Sequence, residues 1–307
     1  MDILLCGDFE AAELHAWQHC LAAALPEARW LTREQALACS DTVQLAVVAN
    51  PLPGSLSGLP KLRLIQSLWA GVDRLLQDPT LPPGVPIARM VDPAMNAAMA
   101  ETALWATLAV HRGFFGYARA QQARKWQPQP QRRADEVQVL VLGLGQMGFT
   151  AARRIAQQGY RVSGWSLRPH AAEAEGVACH HGQDALERLL PASEIVVNLL
   201  PLTAATTGLL GARVFAALPR GAAVVNLARG AHVVDADLLA ALDSGQLAQA
   251  VLDVFHSEPL PPEHPFWTHP RVALLPHVAA QTDPASAAQV VAANLRRFAA
   301  GGEPANL

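Results

Sequence analysis

Short apolar runs alternate with helical patterns along the whole chain. In the first third the apolar runs are Ile3–Cys6, Leu45–Ala49 and Leu62–Gln66, and helical stretches such as Ala11–Leu25 lie between them. Later apolar runs are Val137–Leu142, Arg161–Trp165, Ile195–Leu200, Ala222–Leu227, Ala250–Val254 and Val272–Leu275. Strands that alternate with helices form parallel sheets covered on both faces. The sequence therefore predicts an α/β fold with two Rossmann-like or flavodoxin-like lobes, parallel sheets and a cleft between the lobes.

The composition of the 307-residue chain excludes several classes of protein. With 51% hydrophobic and 16% charged residues, the chain is not of the disordered type, and its length fits two domains at roughly 150 residues each. A net charge of −3 argues against nucleic acid or an acidic membrane surface as the main partner. No run has the ~18 charge-free apolar residues of a membrane span. Residues 1–10 lack the basic start of a signal peptide, so we expect a cytoplasmic protein.

The cysteines indicate neither a disulfide framework nor a zinc ribbon. There are four, Cys6, Cys20, Cys39 and Cys179, and they are scattered through a long chain. No Cys-x-x-Cys pair occurs, so we predict no metal site.

A glycine-rich turn follows the apolar run Val137–Leu142 and precedes a helical pattern that starts near Ala151. The turn consists of Gly143, Leu144, Gly145, Gln146, Met147 and Gly148. In a dinucleotide-binding turn the first glycine permits the tight bend, the second lets a pyrophosphate approach the backbone, and the third allows helix and strand to pack closely. The helix N-terminus then presents free N–H groups to the phosphates. We therefore predict that this turn binds a dinucleotide cofactor.

The end of the next predicted strand indicates which dinucleotide binds. Sites that prefer NAD place Asp or Glu about 20 residues after the turn, against the ribose hydroxyls. Here the segment is Trp165, Ser166, Leu167 and Arg168, without a carboxylate. Ser166 can donate to a 2′-phosphate, and the Arg168 guanidinium supplies several further donors. We predict that NADP(H) is preferred, with NAD(H) as the alternative cofactor.

Three later segments place polar and charged residues at or just after the ends of predicted strands. They are Asn226–Gly230, Leu252–Leu260 and Leu275–Ala280, and each ends or follows a predicted strand. With the early loop Leu68–Asp73, they give the chain its resemblance to the D-isomer-specific 2-hydroxyacid dehydrogenases, most closely their glyoxylate/hydroxypyruvate reductase A branch. The resemblance covers nearly the whole chain, and it rests on the ordered set Arg229, Glu258 and His277 behind the glycine turn.

The resemblance implies a catalytic role for each member of that set. Histidine titrates near neutral pH, so His277 is the expected proton donor in reduction and proton acceptor in oxidation. Glu258 would bond the other ring nitrogen and favour the imidazolium. Arg229 would bind the substrate carboxylate through two hydrogen bonds and polarise the adjacent carbonyl.

The resemblance also assigns binding residues and domains. For the substrate these are Trp69, Ala70 and Gly71 with Arg229 and His277. Beyond the turn and the Trp165–Arg168 segment, the expected cofactor contacts are Leu200, Pro201, Thr206, Leu227, Ala228, Arg229, Asp253, His277 and Ala279. We expect residues 1–98 plus 282–307 to form a flavodoxin-like substrate-binding domain, and residues 99–281 to form the NADP-binding Rossmann domain.

A homodimer is the expected assembly. Ala97–Val110 is an apolar helix with Trp105, which indicates either a dimer interface or an internal core helix. Trp126 precedes a proline-containing connector, and it either reaches the neighbouring subunit's active site or anchors its own loop.

The function that these features predict is NADPH-dependent reduction of a small 2-keto acid, of the glyoxylate or hydroxypyruvate type, to the 2-hydroxy acid. One alternative is a dehydrogenase of another 2-hydroxy acid. The other is a non-catalytic, nucleotide-sensing binding protein of the same fold. Trp69 stands where most relatives have a small residue, which leaves the substrate side chain open.

Overall fold

The structure is a computed structural model that describes residues 1–169 and 176–306. It divides into two compact units, Met1–Met95 with Thr282–Leu307, and Asn96–Gln281. The domain boundary predicted between residues 98 and 99 lies three residues after the observed division, and it falls inside the helix Pro93–His111. The assignment of one unit to the substrate and the other to the cofactor stays a prediction.

The first unit contains a five-stranded, fully parallel sheet. Its strands are Asp2–Gly7 (β1), Arg29–Leu31 (β2), Leu45–Ala49 (β3), Leu64–Ser67 (β4) and Ile87–Ala88 (β5). The spatial order β2-β1-β3-β4-β5 is that of flavodoxin-like sheets. Three of these strands were predicted from apolar runs, whereas β2 and β5 are too short to give such a signal.

Helices cover this sheet, and the last of them brings the end of the chain back to it. They are Ala11–Ala24 (α1), Arg33–Ala38 (α2), Asp73–Leu76 (α3) and Pro284–Ala299 (α10). Helix α10 packs on α1, and its Asn294 side chain donates to Gln66 of β4 at 2.9 Å in the buried interior. The C-terminal segment is therefore an integral part of the first unit.

The second unit contains a seven-stranded parallel sheet. Its strands are Gln138–Leu142 (β6), Arg161–Ser166 (β7), Val177–His181 (β8), Ile195–Asn198 (β9), Ala222–Asn226 (β10), Leu247–Leu252 (β11) and Val272–Leu274 (β12). The order β12-β11-β10-β9-β6-β7-β8 is the Rossmann order with one added strand. The predicted fold class, two units with parallel sheets, is confirmed.

The remaining helices are Pro93–His111 (α4), Phe114–Gln122 (α5), Gln146–Ala156 (α6), Gln183–Leu189 (α7), Ala212–Ala217 (α8) and Asp235–Asp243 (α9). Helix α6 begins at Gln146, inside the glycine turn and five residues before the predicted start near Ala151. In open parallel sheets, ligands bind beyond the carboxyl ends of the strands where the strand order reverses. In this unit that position is between β6 and β9.

Among the helices of the described residues, none combines the length and apolarity that a bilayer crossing requires.

His111, at the end of α4, links the segment before β6 to the core of the second unit. Its Nδ1 lies 2.7 Å from the Tyr160 hydroxyl, and its Nε2 lies 3.0 Å from the Arg132 carbonyl. Arg132 in turn forms an ion pair with Glu194. Burial lowers the pKa of His111 below its ordinary value, and the bond to the Arg132 carbonyl opposes that shift.

This lowered pKa predicts a loss of stability in acid. The unfolded chain binds a proton on this ring at about pH 6.5, where the folded protein still holds the ring neutral. The free energy of unfolding therefore falls as the pH drops below that value. When the pH is lowered from about 7.5 to about 5.5, we expect the melting temperature of His111→Gln to fall by less than that of the wild type. His15→Gln, on the surface of α1, is the matched control and should keep the wild-type pH dependence; an equal drop in all three proteins contradicts the prediction.

Candidate active site

The glycine turn leaves no room for side chains at two of its positions. Gly143 has φ +95°, and a Cβ there would lie 2.6 Å from the Leu199 carbonyl oxygen. A Cβ on Gly148 would lie 1.7 Å from the Gly143 oxygen, which fixes helix α6 against the turn. At Gly145 a Cβ would meet no described atom within 4 Å, so the backbone there faces open space. The turn therefore offers a glycine-lined cradle at a helix N-terminus, which fits a pyrophosphate.

The end of β7 has the side chains that were predicted to select the cofactor. Ser166 Oγ donates to the Arg168 carbonyl at 2.6 Å, which folds the segment back on itself. Arg168 and Leu167 are exposed. The Trp165 ring is buried and donates to the Gly182 carbonyl at 2.8 Å, so its contribution to a ligand is limited to the backbone.

Other predicted cofactor contacts divide by exposure. Gln146 and Pro201 are exposed, and Met147 is half-buried. Six are buried, so their backbone atoms are the groups that remain for a ligand: Leu144, Leu200, Thr206, Leu227, Ala228 and Ala279. Thr206 donates to the Pro201 carbonyl at 2.7 Å and thereby fixes the shape of the segment that follows β9.

His277 and Glu258 form a hydrogen-bonded pair. His277 Nδ1 lies 2.6 Å from Glu258 Oε2, and the other carboxylate oxygen accepts from the Phe255 amide at 2.9 Å. The His277 side chain is 53% exposed. Within the described residues its Nε2 has no hydrogen-bond partner, so a substrate can reach it. This is the arrangement of an imidazole that a carboxylate orients through one ring nitrogen while the other faces a ligand.

Asp253 holds the loop that carries His277. Its carboxylate accepts from the amides of Val278 at 2.7 Å and Ala279 at 3.0 Å, and its own carbonyl accepts from the His277 amide at 2.9 Å. Burial raises the pKa of Asp253, and the two amide bonds act in the opposite direction. His277 has φ +55°, a left-handed conformation that is uncommon outside glycine and that persists where its surroundings enforce it.

Arg229 follows β10 in a half-buried turn. Its Nη1 donates to the Ala228 carbonyl at 2.7 Å. A Cβ on the next residue, Gly230, would lie 2.0 Å from the carbonyl carbon of Phe255, so only glycine allows this contact. The backbone of the arginine turn therefore lies directly against the segment that follows β11. The Glu258 side chain of that same segment is hydrogen-bonded to His277.

The sheet order places the three predicted catalytic residues on neighbouring connections. Arg229 follows β10, Glu258 follows β11 and His277 follows β12, and these strands are adjacent. The glycine turn follows β6 at the same carboxyl edge of the same sheet. The structure thus brings the predicted proton donor, its carboxylate, the arginine and the dinucleotide turn to one edge of the second unit.

A buried polar cluster beneath Arg229 escaped the sequence analysis. Asn198, Asn226 and His232 are fully buried, and Asn198 Nδ2 lies 2.9 Å from Asn226 Oδ1 and 3.0 Å from His232 Nδ1. The available signal was an asparagine within each of the apolar runs Ile195–Leu200 and Ala222–Leu227. Such residues need hydrogen-bond partners when buried, which marks the strand ends as structured sites.

The predicted substrate residues of the early loop lie in the first unit, between β4 and α3. The Trp69 amide and carbonyl both lie 3.0 Å from Ser67 Oγ, and its ring meets Trp17 edge to face at 6.1 Å between centroids. Ala70 and Gly71 are half-buried. Their role in binding a carboxylate stays a prediction.

Comparison with known proteins gives consistent relatives. A family model described as D-isomer specific 2-hydroxyacid dehydrogenase, NAD binding domain, matches residues 104–279. The chain is 38% identical to the glyoxylate/hydroxypyruvate reductase A of Serratia proteamaculans, with 100% of this chain and 98% of that protein covered.

Two solved structures extend the likeness to three dimensions. A D-isomer specific 2-hydroxyacid dehydrogenase from Xanthobacter autotrophicus Py2, in complex with NADPH and MES, matches with a TM-score of 0.91 and 39% identity over 99% of this chain and 96% of that one. An NADPH-dependent glyoxylate/hydroxypyruvate reductase from Sinorhizobium meliloti, in complex with NADP and sulfate, matches with a TM-score of 0.90 and 32% identity over 99% and 97%. The chain therefore belongs to the D-isomer specific 2-hydroxyacid dehydrogenase family.

Proposed function

We propose that the protein reduces small 2-keto acids, of the glyoxylate and hydroxypyruvate type, to 2-hydroxy acids with NADPH. The observation that carries the proposal is the 2.6 Å bond between His277 Nδ1 and Glu258, at the same sheet edge as the glycine cradle. Relatives that carry the name of this activity cover the full chain at 37–38% identity. A cytoplasmic location stays a prediction.

Each residue of the proposed site has a distinct task. Arg229 binds the substrate carboxylate and polarises the keto oxygen. Bound NADPH supplies the hydride to the keto carbon. His277 Nε2 donates the proton to the keto oxygen, and Glu258 orients the ring through its bond to Nδ1.

Turnover on a panel of 2-keto acids tests this function directly. NADPH oxidation is followed with glyoxylate, hydroxypyruvate and longer 2-keto acids, because Trp69 leaves the preferred side chain open. We expect glyoxylate or hydroxypyruvate to be reduced. A protein that binds NADPH and reduces none of the panel is instead the nucleotide-sensing alternative.

Replacement of His277 tests the proton donor. Asparagine is the suitable replacement because it tolerates the left-handed backbone at this position. We expect His277→Asn to lower kcat by roughly 10² or more, the usual contribution of a positioned acid–base group, with little change in NADPH affinity. His15→Asn, on the surface of α1, is the control. Near-normal turnover in His277→Asn rules out the assigned role.

The preference for NADPH over NADH is proposed to rest on Arg168 and Ser166. Both stand at the end of β7, where no carboxylate is present among the described residues up to position 169. An exposed guanidinium there can pair with a 2′-phosphate, which NADH lacks. Solved relatives were obtained with NADPH or NADP.

Arg168→Ala should reduce the preference without loss of chemistry. A hydrogen bond to a charged group contributes about 1.5–3 kcal/mol, so kcat/KM for NADPH should fall on the order of 10- to 100-fold while that for NADH stays within about twofold. Arg154→Ala, also on the exposed surface of the second unit, is the matched control. An equal loss with both cofactors contradicts the role.

We propose further that the protein is a homodimer formed through the second unit. Between residues 105 and 126 of this unit, the exposed aromatic side chains are Trp105 at 43%, Phe114 at 55% and Trp126 at 98%. Trp105 lies on helix α4, and the other face of this helix, with Ala103 and Ala106, is fully buried. Exposed apolar side chains grouped in one region are typical of interfaces.

Sedimentation equilibrium tests the dimer. The wild type should have twice the mass of the chain, and Trp105→Asp should shift it to the monomer, because an interface centre does not tolerate an unpaired charge. Leu52→Asp replaces an exposed apolar residue of the first unit and should leave the mass unchanged. A monomeric wild type contradicts the proposal.

A further inference from the structure

The carbonyl oxygen of Arg229 lies in a closed ring of buried hydrogen bonds. It accepts from Asn226 Nδ2 at 2.9 Å and from the His232 amide at 3.2 Å. Asn198 Nδ2 closes the ring, because it donates both to Asn226 Oδ1 at 2.9 Å and to His232 Nδ1 at 3.0 Å. We name these three side chains, Asn198, Asn226 and His232, the carbonyl cage.

The hydrogen bonds fix the orientation of every group in the cage. Asn198 Oδ1 accepts from the Leu200 amide at 3.2 Å, so Nδ2 is the atom that faces His232. Because that nitrogen donates, His232 Nδ1 must accept. The ring proton is then on Nε2, which lies 3.3 Å from the Pro201 carbonyl. Both ring nitrogens of His232 therefore have a hydrogen-bond partner.

The cage connects two segments that the proposed function uses. One is the chain after β9, held through Leu200 and Pro201, and the other is the arginine turn after β10. The turn is also in contact with the Glu258 segment, since Gly230 lies against Phe255. A displacement of the cage therefore moves the backbone from which the Arg229 guanidinium extends and the backbone beside Glu258.

We propose that His232 is a positioning residue for Arg229, with Asn198 and Asn226 as its partners. This inference rests on the proposed function, in which Arg229 binds the substrate carboxylate. His232 touches no substrate in this role; it sets the backbone of the arginine turn. A leucine of similar size would remove the acceptor of one Asn198 Nδ2 proton and one of the two hydrogen bonds to the Pro201 carbonyl, which keeps its bond from Thr206.

Four variants separate positioning from general stability. His232→Leu removes both ring bonds, and Asn226→Asp replaces the donor to the Arg229 carbonyl by an acceptor. His232→Gln keeps an amide that can pair with Asn198 or Pro201. Leu186→Ala opens a cavity in α7, in the core of the same unit, and lowers stability without touching the cage.

The readouts are KM for glyoxylate, kcat, the affinity for oxalate with NADP present, and the affinity for NADPH. We expect His232→Leu and Asn226→Asp to raise KM and to weaken oxalate binding by about tenfold or more. A misplacement of ~1 Å can lower the rate on the order of 10²-fold in such sites. The affinity for NADPH should change by less than about threefold. His232→Gln should recover most of the loss, and Leu186→Ala should lower the melting temperature alone.

Several outcomes overturn the positioning role. One such outcome is that His232→Leu and Asn226→Asp raise KM no more than Leu186→Ala does, when all three variants lose the same amount of melting temperature. Another is a His232→Gln protein as impaired as His232→Leu. Oxalate binding, measured by calorimetry, needs no turnover. If the wild type binds oxalate but reduces no keto acid, the proposed function is contradicted, and oxalate binding by the variants still tests the carbonyl cage. If the wild type binds no oxalate, the inference is overturned as well.

Discussion

All seven strands of the second unit run in one direction, and this constraint determines where its chemistry can occur. Every strand delivers its carboxyl end to the same edge, so the segments after β6, β9, β10, β11 and β12 must lie side by side there. Most buried side chains of the strands are apolar. The buried polar residues Asn198, Asn226 and Asp253 lie at the carboxyl edge, where backbone groups released by the strands can bind them.

Buried polar groups at this edge are paired with the backbone, and that pairing shapes the site. Asp253 accepts two amides of the His277 loop, and Asn226 bonds the carbonyl and an amide of the arginine turn. A carboxylate or amide in such a place is costly unless it is bonded, so each one specifies a single loop conformation. The exposed pair His277 and Glu258 is then held by loops whose backbones are already fixed. The rigid part of the site is thus buried, and the reactive part is open to a substrate.

Local sequence patterns predicted the strands and the glycine turn because each depends on residues close together in the chain. Strands β2, β5 and β8 were missed. With three and two residues, β2 and β5 are too short to show a periodicity, and β8 ends in two histidines and so contains no apolar run. The set Arg229, Glu258 and His277 was identified through a family resemblance, as spacing alone says nothing of convergence. The cage could not be predicted: Asn198 and His232 are 34 residues apart, and they meet only because β9 and β10 are neighbours.

The strand order also separates two properties that selection can act on. The segment proposed to select the coenzyme lies at and after the end of β7, whereas the arginine turn follows β10, three strand positions and about 14 Å away. Substitutions at such distances usually combine additively. Substitutions at the proposed coenzyme contact should therefore leave the arginine turn of this chain undisturbed, so that coenzyme preference and carboxylate binding can change independently.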